Sequence, residues 1–178
     1  MRPRALHLGL AVLVLVAGAC RSAPGRSNEW KAFVTGRMYA EAWALSELKD
    51  YEKSAAQWVK AQALASELGI ADPPSQSEYL KQEGRMASEL KVKHGEKVQA
   101  HFLVASRLML AWVGVKTGAG ATKDIQGIGE QLAASGIPTD VWKPLMTKIA
   151  ARPTAEDLRQ LTETLQRHLE SGMSATAR

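Results

Sequence analysis

Residues 96–116, EKVQAHFLVASRLMLAWVGVK, decide the fold. The run Val98–Ala105 leads into Leu108–Val113, and a helix over this stretch is apolar on most of its sides. Such a helix is stable only when other elements cover it. Residues 96–116 are therefore expected to form the central helix that the others surround.

Working outward, the chain is punctuated as a series of helices. Gly69, Gly95, Gly118, Gly136 and Gly172 each follow a helix-like run, where glycine suits the residue past a helix end. Ser75 with Glu78 has the spacing of a capping box, and Thr154 with Asp157 resembles one after Pro153. Thr139 or Asp140 can cap the run after Pro138, with Pro144 in the first turn that follows. These signals predict helices at 28–48, 50–69, 76–94, 96–116, 122–135, 140–151 and 155–171. The first two are also compatible with one long bent helix, since Leu48-Lys49-Asp50 contains no strong breaker. Trp30, Val34, Met38, Leu45 and Leu48 make one apolar stripe, and Leu158, Leu161, Leu165 and Leu169 another. No sustained alternation marks a strand. The expected fold is all-α: a single-domain helical bundle or orthogonal helical array of about six to seven helices.

The N-terminus is of another kind. Met1–Cys20, MRPRALHLGLAVLVLVAGAC, opens with Arg2 and Arg4, continues with the apolar run Leu8–Val16, and ends in small residues. This is the layout of an export signal. The apolar run is shorter than the roughly 20 residues that span a bilayer. Ala17-Gly18-Ala19-Cys20 resembles the lipobox of bacterial lipoproteins, with Ala17 where that family more often has Leu. The resemblance implies that Cys20 is lipidated (a palmitate-labelled, multiply acylated residue) and becomes the mature N-terminus. Ordinary signal cleavage near Ala19 stays open. Cys20 is the one cysteine in 178 residues, so a disulfide framework is excluded. Arg21 follows it, rather than the Asp linked with inner-membrane retention in enteric lipoproteins. The implied location is the cell envelope, on the outer membrane and facing the periplasm.

This divides the chain into a signal peptide at 1–19, a lipidated N-terminus and tether at 20–28, a helical domain at 29–171 and a flexible tail at 172–178. The tether stretch Arg21–Asn28 reaches at most about 28 Å when extended. The formal charge of +5 falls to +3 when Arg2 and Arg4 leave with the signal. Lys and Arg are spread among Glu and Asp along the helices, so no basic track for a nucleic acid forms. No second apolar run is expected to cross a membrane.

Asp50-Tyr51-Glu52-Lys53, then Trp58 and Ala61, resembles the second helix of a tetratricopeptide hairpin, with Ala42 and Leu45 at compatible positions before it. The match covers one hairpin. Ser54 stands where that family has Ala, and Arg85, Val92 and Gly95 occupy the positions a second copy would fill.

The chain carries no HExxH, CxxC, GxSxG or GxxxxGK[ST]. Gly118-Ala119-Gly120-Ala121 follows a helix rather than a strand and is expected as a connection. His94 fits a basic last turn, His101 lies by the central helix as a core residue, and His168 borders the last leucine stripe. Glu78, Glu83, Glu89 and Glu96 alternate with basic residues as on a solvated helix face. No catalytic residue, metal ligand or cofactor is expected. Tryptophan is the better lead, because it is enriched in interfaces. Trp30, Trp43 and Trp58 are the partner-binding candidates, and Trp112 is assigned to the core. The expected function is non-enzymatic: a membrane-anchored, periplasm-facing lipoprotein that binds a protein partner in a scaffold or assembly role. An inhibitor or immunity-type protein against a periplasmic enzyme, and a ligand-binding bundle, are the alternatives.

Overall fold

The computed structural model describes residues 26–119 and 122–176. The expected signal, Cys20 and most of the expected tether lie outside the described residues. Among the described residues, seven α-helices follow in order: α1 (Asn28–Glu47), α2 (Tyr51–Leu68), α3 (Tyr79–His94), α4 (Glu96–Thr117), α5 (Thr122–Ser135), α6 (Thr139–Ala151) and α7 (Ala155–Thr176). A single 3-10 turn, Gln76–Glu78, precedes α3, and no strand occurs among the described residues. The fold is all-α.

α4 is central, as its composition requires. It packs against α1, α3, α5 and α7. By length and composition α4 also qualifies as a membrane-crossing helix, contrary to the expectation that no second run would. Here protein covers it: Val98, Phe102, Val104, Ala105, Leu108 and Ala111 are all buried. Burying a side chain of Val or Leu size contributes about 1.5–3 kcal/mol.

α1 shares the centre. Its buried residues Trp30, Ala32, Phe33, Thr35, Gly36, Tyr39 and Ala42 point in every direction, because α2, α3, α4 and α7 all touch it. The stripe read from the sequence is therefore only part of its contact surface, and Leu48 at its end is 60% exposed. Gly36 allows the close approach to α4: a Cβ there would stand 2.3 Å from the Phe102 carbonyl oxygen. Glu29 shares one opening with Lys97 and His101, and Leu45 shares another with Met109 and Trp112, so α1 and α4 run parallel. Trp30 Nε1 donates to Glu170 at 3.3 Å and Arg37 to Gln166 at 3.0 Å, so α7 runs antiparallel to both. α2 returns along α1, with Lys31 paired to Glu67 at 3.0 Å and Ser54 donating to the Ala42 carbonyl at 2.6 Å. That bond satisfies the hydroxyl of a buried residue at the position where the tetratricopeptide pattern has Ala.

Several boundaries differ from those expected. α1 and α2 are two helices, not one bent helix. Asp50 N–H donates to the Leu45 carbonyl at 2.9 Å and Lys49 N–H to Ser46 at 3.0 Å, with Lys49 at φ 62°. This is the Schellman ending that glycine usually supplies. Ser75 does not cap with its side chain; the 3-10 turn intervenes, and Ser75 Oγ lies 3.0 Å from Ser77 Oγ. No side chain caps α6 either: it starts after Pro138, and Pro144 stands inside the helix rather than in its first turn. Beyond residue 171, the expected end, α7 continues to Thr176, since a glycine such as Gly172 lowers helix stability without forcing a stop. The Thr154–Asp157 cap forms as expected, with Asp157 N–H donating to Thr154 Oγ1 at 3.1 Å. Lys148 and Thr154 Oγ1 each donate to the Asp157 carboxylate at 2.6 Å, and these two bonds hold the carboxyl below its usual range.

Candidate functional site

The seam between α1, α4 and α7 is closed in its middle and open at both ends. Ala32, Gly36, Ala40 and Ala44 are small residues one helical turn apart on α1, and all are buried. Near the C-terminal ends of α1 and α4 larger side chains take over. A cleft of about 320 Å³ opens there. Leu45 and Leu48 from α1, Leu108, Met109 and Trp112 from α4, and Thr162 from α7 form its mainly apolar wall. Arg37 and Glu41 on α1, and Arg159 and Glu163 on α7, form a charged rim. Arg159 is paired within α7, to Glu163 at 2.9 Å and to Glu156 at 2.7 Å. Trp112 is half-buried, with the Lys116 ammonium 5.7 Å from its ring centre. An apolar floor inside a polar rim is the anatomy of a protein interface, and the volume is also that of a small-molecule site.

The other end of the seam is polar. A cavity of about 410 Å³ lies among the N-terminal turns of α1 and α4, the α5–α6 connection and the last turns of α7. Ser27, Glu29, Lys97, His101 and His168 line it, along with Gly136 and Leu169. His101 is 2% exposed, and its Nδ1–H donates to the Lys97 carbonyl at 2.7 Å. Burial lowers its pKa. Lys97 passes its stem over Gly136.

The three tryptophans singled out from the sequence do not converge. Trp30 is 4% exposed, packed with Val34 and Leu64, and its outer face carries the Arg26 guanidinium at 3.8 Å. Trp58 is half-buried and meets Tyr39 edge-on at 4.9 Å, and Trp43 packs against the same core of α1, α2 and α3. None of the three lines either opening. Trp112 does, together with Met109 and Leu48. Its position on an otherwise apolar helix concealed this. The available signal was Arg37 and Glu41 lying two turns and one turn before Leu45, which puts charged residues beside an apolar wall.

The histidines are separated as Gly95 predicts. His94 accepts from Asn28 Nδ2 through Nδ1 at 3.2 Å and donates from Nε2 to the Leu68 carbonyl at 2.8 Å. It thus caps α2 from α3. His101 and His168 meet at the polar cavity. No group of three or more His, Cys, Asp or Glu side chains could hold a metal ion among the described residues. The carboxylates have structural partners: Glu78 with Lys81 at 2.9 Å, Glu83 with Ser106, Glu96 with Lys91 at 3.4 Å. Glu89 accepts from Ala71 N–H at 3.0 Å and from Arg85, which holds its carboxyl below the usual range. Gly118, at φ 74°, ends α4 as a helix stop. No protein-family model, curated protein or solved structure matches this chain.

Proposed function

We propose that this chain is a lipid-anchored helical protein of the bacterial cell envelope that binds a protein partner, in a scaffold or assembly role. The observation that carries the reading is the apolar cleft, with Leu48 60% exposed at its edge and Trp112 half-buried in its wall. Isolated apolar residues are common on surfaces, but an apolar depression ringed by four charged residues fits a partner's inserted side chains. The anchor rests on the sequence Ala17-Gly18-Ala19-Cys20 and on Cys20 being the sole cysteine. An anchored Cys20 holds the N-terminal end of α1 near the lipid.

The test uses the full chain in its native envelope, with a photoreactive residue at position 48 and, for comparison, at position 92 on the exposed α3 surface. Capture of one protein from position 48 and not from 92 supports the reading. Equal capture from both positions, or a small molecule recovered from the cleft with no protein, overturns it. The anchor is tested separately: Cys20→Ser abolishes palmitate labelling and releases the chain from membranes. Unchanged labelling rules the anchor out.

A further inference from the structure

Large apolar side chains reach water mainly at one corner of the molecule. Leu48, Tyr51, Val59, Leu80 and Val92 are exposed among the described residues, and the first three lie at the end of α1 or on α2. α2 packs chiefly on α1, and its outer side stays open. Tyr51 and Val59 are 63% and 58% exposed, and Ala55 and Ala56 between them are exposed too. An apolar helix face alone does not say what covers it, but the charges on this one do. α2 carries Glu52, Lys53, Lys60 and Glu67. Lys53 is bound to Asp50 at 2.7 Å and Glu67 to Lys31 at 3.0 Å. Glu52 and Lys60 are exposed and form no ion pair among the described residues. They stand one turn before and one turn after Ala56, on the same side of the helix.

We infer that the outer face of α2 binds the same face of a second copy of this chain, the two helices crossing antiparallel at Ala56. A two-fold axis there brings Glu52 of each copy to Lys60 of the other. A parallel pairing in register sets like charges together instead. Alanine at the crossing lets the two backbones approach, and Tyr51 and Val59 are covered beside it. Surface ion pairs add little strength, so the apolar contacts hold the pair and the charges set its direction. One helix pair covers less than a standard interface of about 1,600 Å², so the dimer is weak and forms at high concentration. The pairing rests neither on the anchor nor on the cleft.

The purified full chain carrying Cys20→Ser, which excludes pairing through the native thiol, is followed by sedimentation equilibrium up to millimolar concentration. It should form dimers and no larger species. Glu52→Lys and Lys60→Glu should each weaken the dimer about tenfold, because each places two like-charged contacts across the axis. An equimolar mixture of these two variants should pair as tightly as the parent, since every contact then joins opposite charges. Both residues are exposed, so the melting curves of the variants should match the parent's. In the same background, Ala56→Cys should form a disulfide between copies at least tenfold faster than Val92→Cys on the exposed surface of α3. A monomer at every concentration, a dimer indifferent to both reversals, a mixture no tighter than its components, or equal crosslinking at 56 and 92 overturns the pairing. The cleft takes no part in these measurements, so their failure does not bear on partner capture at position 48.

Discussion

The two ends of the α1–α4–α7 seam use the same three helices and are chemical opposites. At the C-terminal ends of α1 and α4, Leu45, Leu48, Met109 and Trp112 leave a largely apolar cleft. At their N-terminal ends, Glu29, Lys97, His101 and His168 leave a polar one. The middle is closed because α1 is small there and Gly36 brings the backbones together. A glycine contact that close fixes the helix separation, and larger side chains beyond it can only splay outward. The openings therefore follow from one tight point, and their chemistry from whichever residues lie a turn or two away.

The largest expected effect comes from breaking that point. Gly36→Ala places a methyl 2.3 Å from a backbone carbonyl that cannot turn aside. The helices must separate, and the variant should lose about 3 kcal/mol in urea unfolding. Gly84→Ala is the contrast. Nothing lies within 4 Å of a Cβ at Gly84 in α3, so it should gain about 0.5–1 kcal/mol. Equal behaviour of the two would mean that the close approach does not hold the seam.

Next is the apolar end. Trp112→Ala removes a half-buried ring from the cleft wall and should lower stability by about 2 kcal/mol. Leu48→Ala should change it by less than about 0.5 kcal/mol, because Leu48 is mostly in water already. Both should reduce capture of the partner. If Leu48→Ala destabilised as much as Trp112→Ala, the cleft would be part of the core rather than an opening.

The polar end gives a gentler, pH-dependent effect. Burial lowers the His101 pKa from its ordinary value of 6.5, against the opposing pull of the hydrogen bond to the Lys97 carbonyl and of the Glu29 charge; the His168 and Lys97 charges push the same way as burial. Below about pH 6.5 the unfolded chain takes up a proton that the folded ring accepts only at lower pH. Stability should therefore fall as pH drops below 6.5 and level off once the folded ring has titrated. Glu89 and Asp157, with lowered values, lose their contribution only below their ordinary 4.5 and 3.8, so their loss starts at lower pH than that of His101. Urea midpoints at about pH 7.5 and 5.5 test this. The difference should shrink in His101→Gln, and an undiminished difference would assign the slope to another group.

The fold was legible where local chemistry decides it. The all-round apolarity of residues 98–113 predicts a covered α4, and Gly69, Gly95 and Thr154–Asp157 mark ends that form as written. The pattern of α1 was less informative. Its contacts lie on every side, so no single stripe describes it, and Leu48 reads as core by spacing yet lies in water. The candidate sites were the least legible. Trp112 shares a helix with wholly buried residues, and only the crossing of α1 and α7 decides that its edge lies open. The polar opening brings together Glu29, His101 and His168, positions far apart in sequence that helical periodicity cannot join.

The smallest expected effect lies just past the apolar end, where α1 stops. Lys49 occupies the left-handed region at φ 62°, and its N–H and that of Asp50 close the helix on Ser46 and Leu45. A side chain in that conformation crowds its own backbone by about 1–2 kcal/mol, which glycine avoids. Glycine gives back part of this through greater freedom when unfolded. Lys49→Gly should therefore raise stability by about 1 kcal/mol, seen as a higher urea midpoint with an unchanged slope. The two hydrogen bonds at the junction persist in that variant, so Leu48 should keep its position and partner capture should be unaffected. Lost capture without lost stability would mean that Lys49 itself contacts the partner and that the apolar end extends past the helix into its turn.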